Sequence, residues 1–193
     1  MDVQLPGEAV LCEVLRGAVG PGWLRKDFEY DNSNKMKNDK INILFVCLGN
    51  ICRSPMAEFC MKDLIKKAGL EDRFEVASAA TSTEEIWNGI GNPVYPPARE
   101  ELARHGLSCE GKRAVQMNRE DYGKYDLLIG MDHNNLRNMR RICGGDPEGK
   151  IHLLMDYTPN PHDVADPWWT GDFETTWQDI DEGCRALLAE LEM

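Results

Sequence analysis

The chain has 193 residues, 42% hydrophobic and 28% charged, which is the mixture of one ordinary globular domain with some length to spare. Its 22 Lys+Arg against 33 Asp+Glu give a formal net charge of −11, which disfavours nucleic acid and anionic membranes as partners and demands a local positive site for any anionic substrate. No stretch approaches the roughly 18 consecutive apolar residues of a membrane span, and the early apolar run Ala9–Cys12 stops at Glu13 with no basic residue before it, which argues against a secretory signal.

Residues 1–40 carry Pro6-Gly7, Gly20-Pro21-Gly22 and the polar run Asp31–Lys35, so they read as a flexible leader or an added segment, with a short helix near Glu8–Arg16. Met36 offers an alternative start. Ile41–Val46 is a short β-branched run of the kind that makes a strand buried on both faces. Ser54 as N-cap and Pro55 in the first turn then open a helix that Gly69 ends. A second strand fits Phe74–Ala77, and Thr81–Pro97, rich in Gly and Pro, reads as a long surface loop. Ala98–His105 is a helix, Asp126–Met131 a buried strand, Asn134–Ile142 a helix and Ile151–Leu154 a further strand. Thr158–Pro167 holds three prolines and reads as loop. The last helix spans about Asp172–Glu192, with a core stripe of Phe173, Trp177, Ile180, Cys184, Leu187 and Leu191. Strands alternating with helices predict an α/β fold, an open and mostly parallel doubly wound sheet with helices on both faces. Ligands bind such sheets beyond the carboxyl ends of the strands. The loop Cys47–Ser54 leaves the first strand there.

That loop has the spacing C-x5-R, with Ser54 following. A loop that wraps into a helix N-terminus turns backbone N–H groups inward and forms a nest for a tetrahedral oxyanion. Gly49 permits the tight turn, and the Arg53 guanidinium adds a planar fork for two oxygens. The helix dipole and Arg53 both favour the thiolate at Cys47. Ser54 can donate to the sulfur, and Asn50 can brace the loop from within. A thiolate attacking phosphorus needs a proton donor for the leaving oxygen. Asp166, among aromatic residues in Asp166-Pro167-Trp168-Trp169, is the candidate, with Asp156 and Asp163 as competitors. The seven cysteines form no CxxC pair, so a zinc ribbon or a thioredoxin motif is excluded, and most should be reduced and buried.

The segment VCLGNICRSPMAE (Val46–Glu58) resembles the signature of the low-molecular-weight protein tyrosine phosphatases. Ser78–Ser82, Asn118–Asp132, Asn134–Met139 and Asp166–Trp177 are similar to later parts of the same family, so the likeness covers 41–193 and leaves the leader unread. The resemblance implies Cys47 as nucleophile, Arg53 as phosphate binder and Asp166 as general acid, then base. Leu48, Gly49, Asn50, Ile51, Cys52 and Ser54 would form the phosphate loop, and Trp87, Trp168 and Trp169 would wall the cleft. Cys52 corresponds to a second loop cysteine that can pair reversibly with the nucleophile; a packing role is the alternative. No cofactor or metal is implied, and the expected protein is a cytoplasmic monomer acting on phosphotyrosine-containing proteins or small aryl phosphates. Trp168 and Trp169 stand where the family commonly carries two tyrosines, and Lys112 and Val115 where many relatives have His and Arg. Two rival activities share the scaffold. Thiol-dependent arsenate reduction needs two further, closely spaced cysteines, and only Cys109 lies in that region. Protein-arginine phosphatases typically have Thr at the position of Ile51, whose bulk argues for an aryl ester. A catalytically idle anion-binding module is the alternative from another class.

Overall fold

The computed structural model describes residues 40–192. The expected helix near Glu8–Arg16 and the character of the leader lie outside the described residues.

Strand β1 (Ile41–Cys47) is buried over its last five residues. Helix α1 (Arg53–Ala68) is capped by Cys52 rather than by Ser54, and Cys52 makes no side-chain capping bond. Ser54 therefore sits inside the first turn, where its hydroxyl is free to turn back to Cys47. Pro55 still falls among the first four residues, whose N–H groups have no helical partner to lose. Gly69 closes the helix in the left-handed conformation, φ 71°. Strand β2 (Phe74–Ala80) runs three residues past the expected Ala77, because its full length pairs with β1.

The expected loop 81–97 contains a two-stranded hairpin, β3 (Ile86–Trp87) and β4 (Ile90–Gly91). Its turn is Asn88-Gly89, both at positive φ, 50° and 77°. Asn-Gly is the pair that such a two-residue turn demands, so the signal was present in the sequence. Gly91 in β4 lies against the Ala114 backbone: a Cβ there would come 1.9 Å from the carbonyl oxygen of Ala114.

Helix α2 (Pro96–Arg104) starts two residues earlier than expected, with its prolines in the first turn. A single turn, α3 (Asp121–Lys124), precedes β5 (Leu127–Gly130). Helix α4 (His133–Cys143) is capped by Asp132, whose side chain accepts the Asn135 N–H at 2.7 Å, and ends at Gly144. Strand β6 (Ile151–Leu153) passes into a 3-10 turn, Leu154–Tyr157. The short helix α5 (Pro167–Thr170) is capped by Asp166, and α6 (Phe173–Leu191) by Asp172.

The sheet has the order β2-β1-β5-β6 and every pair is parallel, with Val46 opposite both Ala79 and Gly130. Leu44 and Val46 on one pleat of β1 join Leu128, Met139 and Cys143 in a core shared with α4. Helix α1 packs on β1 and β2, and α6 packs along α1. Of the expected α6 stripe, Trp177, Ile180, Cys184 and Leu187 are buried, whereas Phe173 and Leu191 at its two ends are half-buried. The chain turns from β2 on one side of β1 to β5 on the other, so the switch point falls at the carboxyl end of β1. None of the described helices is long and apolar enough to cross a membrane.

Candidate active site

The chain leaves β1 at Cys47 and enters α1 at Arg53, so the intervening loop is folded over the end of the sheet. The left-handed residue of this loop is Asn50, φ 56°, not Gly49. Asparagine tolerates that region better than other residues with a Cβ. Gly49 serves a different need: a Cβ there would lie 3.0 Å from Cγ of Glu85. The Asn50 N–H points at the Cys47 sulfur, 3.3 Å away, and Ser54 Oγ lies 3.0 Å from the same sulfur. These contacts stabilise negative charge on Sγ.

A buried chain of hydrogen bonds fixes those two groups. Asn50 Nδ2 donates to Ser54 Oγ and to Ser78 Oγ, both at 2.8 Å, and Oδ1 accepts the Val115 N–H at 3.0 Å. Ser78 Oγ donates to Glu58 Oε2 at 2.6 Å. Lys112 reaches the same Glu58 oxygen at 2.7 Å and the Ser78 carbonyl at 3.1 Å. Burial alone would raise the Glu58 pKa; the Lys112 charge and the bonds from Lys112, Lys62 and Ser78 outweigh it and bring it below the ordinary value. Lys112 and Val115, which depart from the family pattern, thus both brace the loop, one through its ammonium and the other through its backbone.

Arg53 is buried, with its fork held by two carboxylates. Nη1 donates to Asp132 Oδ2 at 2.6 Å and Nη2 to Asp166 Oδ2 at 2.7 Å. Burial opposes its charge, but Cys47, Asp166 and Asp132 together raise its pKa, so the guanidinium stays charged. Asp166 is held in turn by the Trp168 N–H on Oδ1 at 3.1 Å. Asp156 instead caps the 3-10 turn, and Asp163 pairs with His133, so neither competitor reaches Arg53.

A cavity of about 370 Å3 opens on this constellation, lined by Cys47, Leu48, Gly49, Ile51, Cys52, Arg53, Asp166, Trp168 and Trp169, and by Glu84 and Glu85. Asn50 and Ser54 stand behind it, fully buried. Trp87 does not line it: it is 72% exposed on the β3–β4 hairpin. Burial, followed by the nearby Cys47 and Asp166, pushes the Cys52 thiol well above the usual thiol range, so it remains protonated. Three lining residues carry a carboxylate and one a guanidinium, so the expected local positive site is a single cation and backbone N–H dipoles in acidic surroundings. Asp132, Glu84 and Glu85 were missed in the sequence. For Asp132 the signal was its place between a buried strand and a helix, where an N-cap belongs.

A cysteine at the head of a loop, an arginine fork entering a helix and an aspartate on a distant turn define the cysteine-dependent phosphatase arrangement on a parallel α/β sheet. The model of the family "low molecular weight phosphotyrosine protein phosphatase" matches residues 42–193, and the chain belongs to that family. It is 42% identical over 154 residues to the low molecular weight protein-tyrosine-phosphatase YfkJ of Bacillus subtilis, covering 79% of this chain and 96% of the relative. The crystal structure of YfkJ superposes with a TM-score of 0.75, over 80% of this chain and 96% of that one, at 40% identity. The human low molecular weight phosphotyrosine protein phosphatase is 38% identical over 156 residues, 76% of this chain and 93% of the relative. A Drosophila arginine phosphatase also superposes, with a TM-score of 0.71 and 28% identity, over 78% of this chain and 98% of that one.

Proposed function

We propose that residues 41–193 form a protein tyrosine phosphatase domain that hydrolyses phosphotyrosine-like aryl phosphate monoesters through a cysteinyl-phosphate intermediate. The observation that carries this reading is the convergence, in one cavity, of the Cys47 sulfur and the Arg53 fork from one loop and the Asp166 carboxyl from a segment more than 110 residues on. A phosphate whose oxygens accept from the Arg53 fork displaces Asp166 from Nη2 and leaves that carboxyl facing the leaving group. Cys47 attacks phosphorus, the P–O bond to the phenol breaks, and Asp166 protonates the departing oxygen. Asp166 then takes a proton from water, whose oxygen attacks the phosphorus of the cysteinyl-phosphate; the S–P bond breaks, releasing phosphate and returning the Cys47 thiolate. The loop N–H groups and Arg53 carry the charge that builds on the equatorial oxygens. Leu48, Gly49, Ile51, Trp168 and Trp169 form the walls that receive the phenyl ring, with Asn50 and Ser54 holding the loop.

Burial of Ile51 in that wall favours a flat aryl group over a guanidine. Cys109 and Cys143 are outside the cavity, which leaves arsenate reduction without its relay of thiols. Cys52 lines the cavity, and we assign it the resolving role: on oxidation of Cys47 to a sulfenic acid by peroxide, its thiol would form the disulfide and release water. The six described cysteines are all free and buried. Phosphotyrosine, phosphoarginine and arsenate, tested side by side, decide between the readings. Cys47→Ser should abolish turnover of an aryl phosphate, and Asp166→Ala should lower kcat by about 100- to 10,000-fold while retaining phosphate-analogue binding. Full activity in Cys47→Ser refutes the mechanism.

A further inference from the structure

The phosphatase reading leaves unexplained why the rim of an anion-binding cavity carries two glutamates. Glu84 and Glu85 lie on the segment between β2 and β3, and that segment is attached to the phosphate loop. Thr81 N–H donates to the Cys47 carbonyl and Ser82 N–H to the Leu48 carbonyl, both at 2.9 Å. Gly49 lets the Glu85 side chain close against the loop. Glu85 Oε2 accepts from Asn92 Nδ2 at 2.8 Å, which fixes its position without neutralising it. Among the described residues, no lysine, arginine or histidine forms an ion pair with Glu84 or Glu85. No ion pair offsets them, so both repel a phosphate dianion at the rim, Glu84 through the water around it, at a cost to the activity proposed above.

That cost is recovered when the substrate brings a cation beside its phosphate. The same cavity has Trp168 and Trp169, 55% and 83% exposed, as lining residues. Their indole faces attract guanidinium and ammonium groups. The molecule as a whole, at −11, also draws basic peptides and repels acidic ones. The charge of the rim, the exposed Trp169 indole beside Trp168, whose ring rests on Tyr95, and the net field point to one partner chemistry.

Building on the phosphatase reading, we infer that Glu84 and Glu85 select phosphotyrosine flanked by arginine or lysine, so that this chain acts on basic phosphotyrosine segments and discriminates against acidic ones. Selection operates in KM more than in kcat, because the flanking charge lies away from the reacting phosphorus.

The test uses two phosphotyrosine peptides that differ only in carrying Arg or Glu on both sides of the phosphotyrosine, with para-nitrophenyl phosphate as a third substrate. At low salt the full-length chain should prefer the Arg peptide by about tenfold or more in kcat/KM, falling several-fold in 0.5 M NaCl as screening shortens the reach of the rim charges. Glu84→Gln/Glu85→Gln should bring the preference to within about twofold and lower KM for para-nitrophenyl phosphate, which loses two repulsive charges and has no cation to lose. Single variants apportion the effect and guard against misfolding of the double one. Equal use of both peptides by the wild type, or a preference that survives the double substitution, overturns the inference while leaving the phosphatase reading intact. Failure to hydrolyse any of the three substrates overturns the phosphatase reading itself.

Discussion

Asn50 joins the Cys47–Ser54 loop to Ser78 on β2 and to the backbone at Val115, and removing its amide tests that role quantitatively. Three buried hydrogen bonds go with it: two to Ser54 and Ser78, and one from the Val115 N–H. At about 1 kcal/mol net each, Asn50→Gly should cost about 3 kcal/mol of stability. For a chain of this size that is a fall in Tm of about 6–12 °C. Asn50→Ala loses the same bonds and also forces an alanine to φ 56°, adding about 1 kcal/mol. The order wild type, glycine, alanine in urea unfolding is therefore the signature. Turnover of para-nitrophenyl phosphate should fall in both, on the order of 100-fold in kcat, because Ser54 is no longer held on the Cys47 sulfur. An Asn50→Gly protein within about 0.5 kcal/mol of wild type, a third of the smallest loss expected from three neutral bonds, refutes the reasoning. So does an alanine variant as stable as the glycine one.

Two further outcomes follow from the packing and the charges. Gly91→Ala places a methyl 1.9 Å from a backbone oxygen that cannot rotate away, and should destabilise by about 2–3 kcal/mol in thermal unfolding, whereas Gly123→Ala, with open space around it, should be neutral or slightly stabilising. Glu58 has its folded pKa depressed, so its contribution is fully present above its unfolded value of about 4.3 and is lost as pH falls through the lower folded value. The stability gap between wild type and Glu58→Gln should therefore narrow as urea unfolding is taken from pH 6 towards pH 3; a constant gap contradicts the charge assignment.

The regular elements were legible wherever burial writes a period into the sequence: β1, β5, α4 and α6 lie within two residues of their expected bounds. What escaped was written by partners distant in sequence. The end of β2, Ser78-Ala79-Ala80, has small residues with weak strand preference and is extended because β1 lies beside it. Ser54 has a good capping side chain but spends its hydroxyl on Cys47, so the cap moves to Cys52. Cys47, Arg53 and Asp166, singled out because the chemistry of phosphate transfer asks for those side chains, do line one cavity. Glu58, Glu84 and Glu85 were not legible, since an acidic residue on a loop or helix looks the same in sequence whatever it faces; Asp132 was legible as an N-cap but not as a partner of a buried cation 79 residues away. Trp87 was misplaced for a related reason: the Asn88-Gly89 turn carries it out on a hairpin.

The two amide bonds from Thr81 and Ser82 to the carbonyls of Cys47 and Leu48 tie the segment carrying Glu84 and Glu85 to the loop that follows β1 by backbone alone. Side chains on that segment can therefore vary without loosening the tie, whereas an insertion or deletion between Ala80 and Glu84 would shift Cys47 along with the rim. Substrate preference in this chain is thus open to change by point substitution but resists exchange of whole segments, and chimaeras joined within 80–84 should lose catalysis before they change specificity.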